Sequence, residues 1–402
     1  MKLTALRTIR LEEFPNLLWV ELETDEAIVG LGESFRGPLA VEAYLHELAA
    51  PYLLGQDPLA IERHWHALSG YVGSRGSGAE TRGRSAVDIA LWDLFGKVTG
   101  QPVYQLLGGA SRPAIRVYNT CAGQRYMRRS TLAPTPDNWG TGEEGDPYDD
   151  LDAFLHRPAE LARSLLSEGI TAMKIWPFDP YAASSRGYDI AAADLARGAD
   201  PFRRIREAVG DEIEIMLEMH GRWHLPAARR IAGAVDEYRP YWYEDPVPAD
   251  DLTVLARFAK STRVPVAASE TLTGRAAFKQ LVDLGAAEVL MLDVGWCGGL
   301  TEARKIAALA ETAQLTLAPH DCTGPVALTA ATHLSLHADA AVIQEFVRAA
   351  YHGWYGTLVT ALPPVREGLI APPAGPGLGL ALRPEIAARP DATVRVSKLE
   401  SR

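Results

Sequence analysis

Residues 213–220 read Ile-Glu-Ile-Met-Leu-Glu-Met-His, residues 241–246 Tyr-Trp-Tyr-Glu-Asp-Pro and residues 266–270 Val-Ala-Ala-Ser-Glu. Each contains a short apolar run that ends in a glutamate, and Glu218, Glu244 and Glu270 are 26 residues apart in both intervals (218 to 244, 244 to 270). That repeat is the length of one strand–helix unit. Near-continuous apolar strands separated by helices mark a parallel sheet covered on both faces. Neighbouring strands lie about 4.8 Å apart. Three acids at the same end of three adjacent strands would therefore converge, repel one another and resist burial. A hard divalent cation, whose preferred ligands are carboxylate oxygens, relieves both problems. Taken singly, each glutamate reads more simply as a helix N-terminal acid or a surface ion-pair partner. The repeated spacing selects the metal.

Outward from this core, further strands are expected at Ile115–Tyr118, Ala172–Ile175, Val289–Asp293, Thr316–Pro319 and Val342–Phe346, with amphipathic helices such as Leu252–Lys260 and Gly299–Thr312 between them. Eight units over residues 113–359 predict a closed barrel, with an open doubly wound sheet as the alternative. No glycine-rich phosphate loop follows a strand; Gly375–Gly379 belongs to a Pro/Gly-rich tail. Residues 1–112 form a smaller α+β unit: strands Leu3–Leu11, Leu17–Thr24 and Ile28–Gly32, then helices Val41–Ala50, Leu59–Leu68 and Ala86–Gly100. The tail, residues 360–402, folds back and completes it. The glycine-rich loop at 73–78 is built to move. The polar segment 125–150 follows the first barrel strand as a lid or a disordered insert.

The 402 residues are 47% hydrophobic, enough for a sizeable core. The formal charge of −11 argues against nucleic acid or an anionic membrane as partner, but not against a small anion held through a cation. No apolar run reaches the length of a membrane span, and no secretory leader is evident. Cys121, Cys297 and Cys322 are too few for a disulfide framework. A cytoplasmic protein is expected.

At the level of the three glutamates, other strand ends carry Lys174, His220, Asp293, His320 and Glu345. Barrel enzymes place their chemistry there. His220 lies two residues beyond Glu218, on the same side of a continuing strand. A cation bound to a substrate carboxylate eases removal of the neighbouring proton and stabilises the enediolate. His320 oriented by Asp293 suits the base, and His220 the acid that assists a departing hydroxide. Lys174 is expected to meet the substrate carboxylate, and a protonated Glu345 to donate a hydrogen bond to the enediolate.

The chain resembles the mandelate racemase and muconate lactonizing enzyme branch of the enolase superfamily. The residues that carry this are Leu-Glu-Met-His-Gly-Arg (217–222), Glu244-Asp245-Pro246, Ala-Ala-Ser-Glu (267–270), Asp293 with Gly298-Gly299-Leu300-Thr301-Glu302, Ala-Pro-His-Asp-Cys-Thr-Gly-Pro (318–325) and Gln344-Glu345. Gly55-Gln56-Asp57-Pro58 and Ala90-Leu91-Trp92-Asp93 extend it through the first domain. Its motifs are most similar to the sugar-acid dehydratases of the D-galactonate dehydratase type. The resemblance implies an α+β cap over a modified (β/α)7β TIM-like barrel, and one Mg2+ per subunit on Glu218, Glu244 and Glu270. It also implies the His320–Asp293 base, His220 as acid, Glu345 near the enediolate and a 2-keto-3-deoxy acid product. Loops near 14–20 and 73–80 help define the substrate in such proteins, which often form homo-oligomers from dimers to octamers. Lys174, Trp176 and Arg222 are the expected contacts to a small anionic sugar acid. Many racemases of this branch carry Lys-x-Lys where this chain has Lys174-Ile175-Trp176, and cycloisomerases a lysine where it has Asp293. Elimination is thus favoured over epimerisation or lactone cycloisomerisation, and a sensor without turnover is the rival from another class.

Overall fold

The computed structural model describes residues 1–70, 76, 78–126, 139 and 148–399. Most of the 73–78 loop and of the 125–150 insert lies outside the described residues.

Three strands, β1 (Leu3–Leu11), β2 (Leu17–Thr24) and β3 (Val29–Phe35), form an antiparallel meander. A strand near the C-terminus returns to it: β14 (Ala392–Lys398) pairs antiparallel with β1 and sets the order β14-β1-β2-β3. The helix Ala79–Thr99 packs along β3. Gly30 and Gly32 permit that approach, because a Cβ at Gly32 would stand 1.9 Å from the Ala86 carbonyl oxygen. This helix starts seven residues before its expected position. Thr81, Arg84, Ser85 and Asp88 are buried against the rest of the protein, so the helix lacks the single apolar stripe that marks a helix in sequence.

The second sheet contains β4 (Ile115–Thr120), β5 (Ala172–Ile175), β6 (Glu214–Glu218), β7 (Tyr243–Glu244), β8 (Val266–Ala268), β9 (Val289–Leu290), β10 (Thr316–Leu317) and β11 (Gln344–Phe346). Parallel pairing runs in chain order from β4 to β10, and β11 lies parallel to β4 on its other side. Leu317 N–H donates to the Ala340 carbonyl (2.8 Å), Val342 N–H to Leu317 (3.1 Å) and Glu345 N–H to Pro319 (3.1 Å), so backbone bonds also link β10 to the segment entering β11. Helices such as Leu225–Val235, Leu252–Ala259 and Leu300–Ala313 fill the seven gaps between strands. After β11 the chain instead makes the hairpin β12 (Val365–Arg366) and β13 (Leu369–Ile370), which lies antiparallel on the start of β4. The early part of the tail therefore belongs to this sheet rather than to the cap.

Two apolar clusters divide the interior. The larger fills the cap and the layer between strands and helices. The smaller takes a residue from every one of the eight strand segments, among them Tyr118, Ala172, Met216, Trp242, Ala318 and Ile343. This is the packed lumen of a barrel.

Cap and barrel are joined by buried polar contacts. Asp88 accepts the Thr301 N–H (2.9 Å), and Trp92 Nε1 donates to the Thr301 hydroxyl (2.9 Å), both at the start of the helix Leu300–Ala313. Glu33 accepts from Trp19 Nε1 (2.9 Å) and from the Ala327 N–H (3.0 Å) in the first turn of the helix Pro325–His337. Its carboxyl pKa is pushed up to about 7, burial outweighing those hydrogen bonds. No described helix is long and apolar enough to cross a membrane.

Candidate active site

Side chains alternate along a strand, so the residue two beyond a lumen residue faces the same axis one level higher. Ala172 is followed in this way by Lys174, Met216 by Glu218, Trp242 by Glu244, Met291 by Asp293, Ala318 by His320 and Ile343 by Glu345. The apolar lumen is thus a floor, and the ionisable residues form the next layer towards the C-terminal ends. The floor supports that layer directly: Trp242 Nε1 donates to Glu244 Oε2 (2.9 Å) and the Tyr118 hydroxyl to Glu345 Oε2 (3.0 Å).

Glu218 and Glu244 stand side by side in register on β6 and β7 and are fully buried. Glu270 departs from the equivalence suggested by spacing. Ala267 is the residue opposite Glu244, so Glu270 lies three residues beyond it, past the end of β8, and its side chain is 19% exposed. Even so, one oxygen from each of the three carboxylates lies within 4.8 Å of the others. Lys174 Nζ contacts Glu244, lies 3.0 Å from Glu345 and 3.4 Å from Glu218. The ammonium is therefore engaged by protein carboxylates. Burial opposes its charge, but Glu244 and Glu345 override that and hold its pKa well above the ordinary lysine value.

One lysine does not balance this layer. Burial and the neighbouring Glu218 push the Glu244 carboxyl well up. Asp245 beside it rises to about 8 through burial and the fields of Glu270 and Glu244. Glu218 Oε2 and Asp245 Oδ1 are buried with no hydrogen-bond partner among the described residues. An all-oxygen donor set with surplus negative charge and orphaned oxygens fits a hard divalent cation. Glu218, Glu244 and Glu270 are the residues that would hold it. Glu345 differs from the expectation that it donates a hydrogen bond. Burial raises its pKa, but Lys174, His320 and a hydrogen bond from Thr120 more than offset this and hold the carboxyl below its ordinary value. It is ionised here and accepts.

Each histidine is held by an aspartate. His320 Nδ1 lies 2.7 Å from Asp293 Oδ2, and Nε2 lies 3.1 Å from Glu270 Oε2. Burial disfavours the imidazolium, but Glu270, Glu345 and Asp293 raise its pKa well above the ordinary value. His220 Nδ1 lies 2.8 Å from Asp179 Oδ2, whose carboxylate also meets Arg222 Nε at 2.9 Å. Despite burial, Glu218 and Asp179 push the His220 pKa to about 9. The strand does not continue through His220 as expected. β6 stops at Glu218, and His220 has a left-handed backbone (φ 48°), its N–H donating back to Glu218 Oε1 at 2.6 Å. A turn delivers the side chain to the side that alternation predicted. In the ring of eight strands β6 and β10 are four places apart, so the two imidazoles rise from opposite walls.

Asp179 was not among the expected site residues. It follows β5 in Trp-Pro-Phe-Asp-Pro (176–180), and its position past a strand end is the one signal that pointed to it. A cavity of about 390 Å³ joins these groups; Lys174, Trp176, His220, Arg222, His320 and Glu345 all border it. Trp176 sits in an aromatic wall with Tyr126 and Phe154, its ring centroid 5.6 Å from that of His220 and nearly perpendicular to it. The cap closes the far side with Phe35, Arg36 and Arg82, none of them expected from the sequence.

Two family models match the chain: the mandelate racemase/muconate lactonizing enzyme N-terminal domain over residues 6–108 and the enolase C-terminal domain-like model over residues 157–386. A D-galactonate dehydratase of Ralstonia nicotianae is 33% identical over 393 residues, covering 94% of this chain and 92% of that protein. Among solved structures, an enolase of the mandelate racemase subgroup from Agrobacterium tumefaciens is 49% identical with a TM-score of 0.88, covering 99% of each chain. An enolase protein from Sargasso Sea environmental sequencing is 44% identical with a TM-score of 0.88 over the full length of both.

Proposed function

Since the chain belongs to the mandelate racemase and muconate lactonizing enzyme branch of the enolase superfamily, we propose that it is a Mg2+-dependent sugar-acid dehydratase. The observation that carries the reading is the pair of opposed histidine–aspartate dyads above three clustered carboxylates. Its relatives named D-galactonate dehydratase support the same reaction class. A cation on Glu218, Glu244 and Glu270 would neutralise the substrate carboxylate and so lower the cost of losing the proton next to it.

Asp293 occupies His320 Nδ1, leaving Nε2 as the nitrogen that takes the α proton; a cation on Glu270 would cancel the strongest of the fields that favour the imidazolium and so free Nε2 to act as a base. Asp179 occupies His220 Nδ1 in the same way, and its negative charge favours the protonated imidazole that an acid requires. The hydroxyl on the β carbon leaves with the His220 proton as water. The resulting enol becomes the 2-keto-3-deoxy acid by tautomerisation. Lys174 and the ionised Glu345 form a fixed ion pair below the reacting carbons. The opposed dyads also suit a second reading, epimerisation at the α carbon, in which His220 returns a proton to the other face.

Incubating the Mg2+-loaded protein with a panel of sugar acids and assaying 2-keto acid separates the two. Dehydration is expected, with loss on chelation and in His320→Asn. An α-epimer without keto acid would replace the first reading with the second.

A further inference from the structure

We infer that the acid taken by this site is a dianion, an aldarate with a carboxylate at each end, and that Arg82 of the cap receives the distal carboxylate with Arg36 beside it. The inference rests on the dehydratase reading and names its substrate class.

The cavity has two poles. The barrel pole is the carboxylate layer, where a substrate carboxylate enters through a cation. The cap pole is cationic: Arg36 and Arg82 both border the cavity. Arg82 lies with its guanidinium 5.0 Å from the Trp296 ring, and that ring lies 5.3 Å from the His320 imidazole. One indole therefore separates this guanidinium from the base. Arg82 Nε is buried with no hydrogen-bond partner among the described residues, and Nη1 reaches the Arg36 carbonyl only at 3.5 Å. The acid whose field reaches it is Asp293, whose Oδ2 is already bound to His320. Burial holds the Arg82 pKa below its ordinary value, with Asp293 opposing and the like charge of Arg36 adding.

A partly buried guanidinium without a hydrogen-bonded counter-charge is costly. An aldonate brings only a terminal hydroxymethyl to that end, which asks for neutral donors and acceptors. A carboxylate matches the planar fork of arginine and offsets the charge of Arg82. The distal end of the substrate is thus selected by the cap, while the reacting end is governed by the barrel.

The test measures calorimetric binding and turnover for six-carbon aldarates, the matching aldonates and the matching 6-phosphoaldonates on full-length, Mg2+-loaded protein. An aldarate is expected to bind about 10–100-fold more tightly than its aldonate, as one charge-assisted bidentate contact provides. Arg82→Gln should remove most of that ratio by weakening the aldarate, with aldonate binding changed less than about threefold. The wild-type ratio needs no variant, so it decides the matter even if Arg82→Gln fails to fold. Equal binding of aldarate and aldonate, a clear preference for the phosphate, or an equal loss for both acids in Arg82→Gln overturns the inference. Binding is scored whether or not product forms. Absence of keto acid from every compound counts against the dehydratase reading alone.

Discussion

Replacing Asp179 by asparagine should separate the two halves of the proposed reaction. The carboxylate accepts from His220 Nδ1 at 2.8 Å and meets Arg222 Nε at 2.9 Å, so both of its duties are to donors. Both donors meet the same oxygen, Oδ2, so the amide of asparagine can still accept from them, but it carries no negative charge. His220 then keeps an acceptor at Nδ1 but loses the negative charge that favours its protonated form. A positioned general acid contributes about 10²–10⁴-fold, so keto-acid formation should fall by about that range. His320, Asp293 and the three carboxylates lie elsewhere and keep their contacts. Abstraction of the α proton should therefore persist. In D2O, NMR should show deuterium entering the α position of unreacted acid in Asp179→Asn at a rate within about fivefold of the wild-type chemical step, while product is scarce. Parallel loss of exchange and product would mean that Asp179 supports the whole site rather than the acid. Unchanged product formation would remove His220 from the reaction.

Other expectations follow from the cap and the carboxylate layer. Glu33 titrates at about 7 in the folded protein against 4.5 for the free group, so the native state holds the proton more tightly and stability falls as pH rises from 4.5 through 7. The loss is roughly 3 kcal/mol; Glu33→Gln should lack it, so a wild-type-minus-variant stability difference that stays flat over pH 5–8 in urea melts would refute the reasoning. Gly32→Ala should destabilise by about 3 kcal/mol or more, because its Cβ would meet the Ala86 carbonyl and lift the helix Ala79–Thr99 off the sheet; a melting temperature within 1–2 °C of wild type, about the noise of one small substitution, would contradict that contact. Mg2+ at about a hundred times its Kd should stabilise the protein by about 2.7 kcal/mol, and Glu218→Gln should abolish most of this shift; an equal shift in the variant would remove Glu218 from the cation site.

How far the site was legible in sequence depends on what carried each residue. Period-two alternation in short apolar strands reveals which end-of-strand residues share a level, and that rule reaches Lys174, Glu218, Asp293 and Glu345 without any knowledge of contacts. Glu270 came from spacing alone, and its spacing concealed an offset of three residues from its neighbour's register. His220 reached the right side through a left-handed turn that no alternation rule describes. Asp179, Arg36 and Arg82 were missed because their roles depend on which loop lies over which strand end. The early start of the helix Ala79–Thr99 was hidden because its buried face meets polar groups of the barrel, and sequence periodicity registers only apolar faces. The charge states were the least legible: Glu345 was expected to hold a proton, and only the meeting of Lys174 and His320 beside it sets it ionised.

The offset of two residues between apolar floor and ionisable layer has a consequence for how such a protein changes over time. Apolar packing lies in side chains such as Met216 and Trp242, and the proposed chemistry in the side chains one level above them. A lineage can rewrite the upper level one strand at a time, trading a histidine for a lysine or moving an acid, while the floor keeps the fold intact. Like His220, Glu270 is an exception, because it sits outside that stagger on a loop. Insertions or deletions after β8 would shift it at once, so that short segment should tolerate length change least of all the barrel's connections.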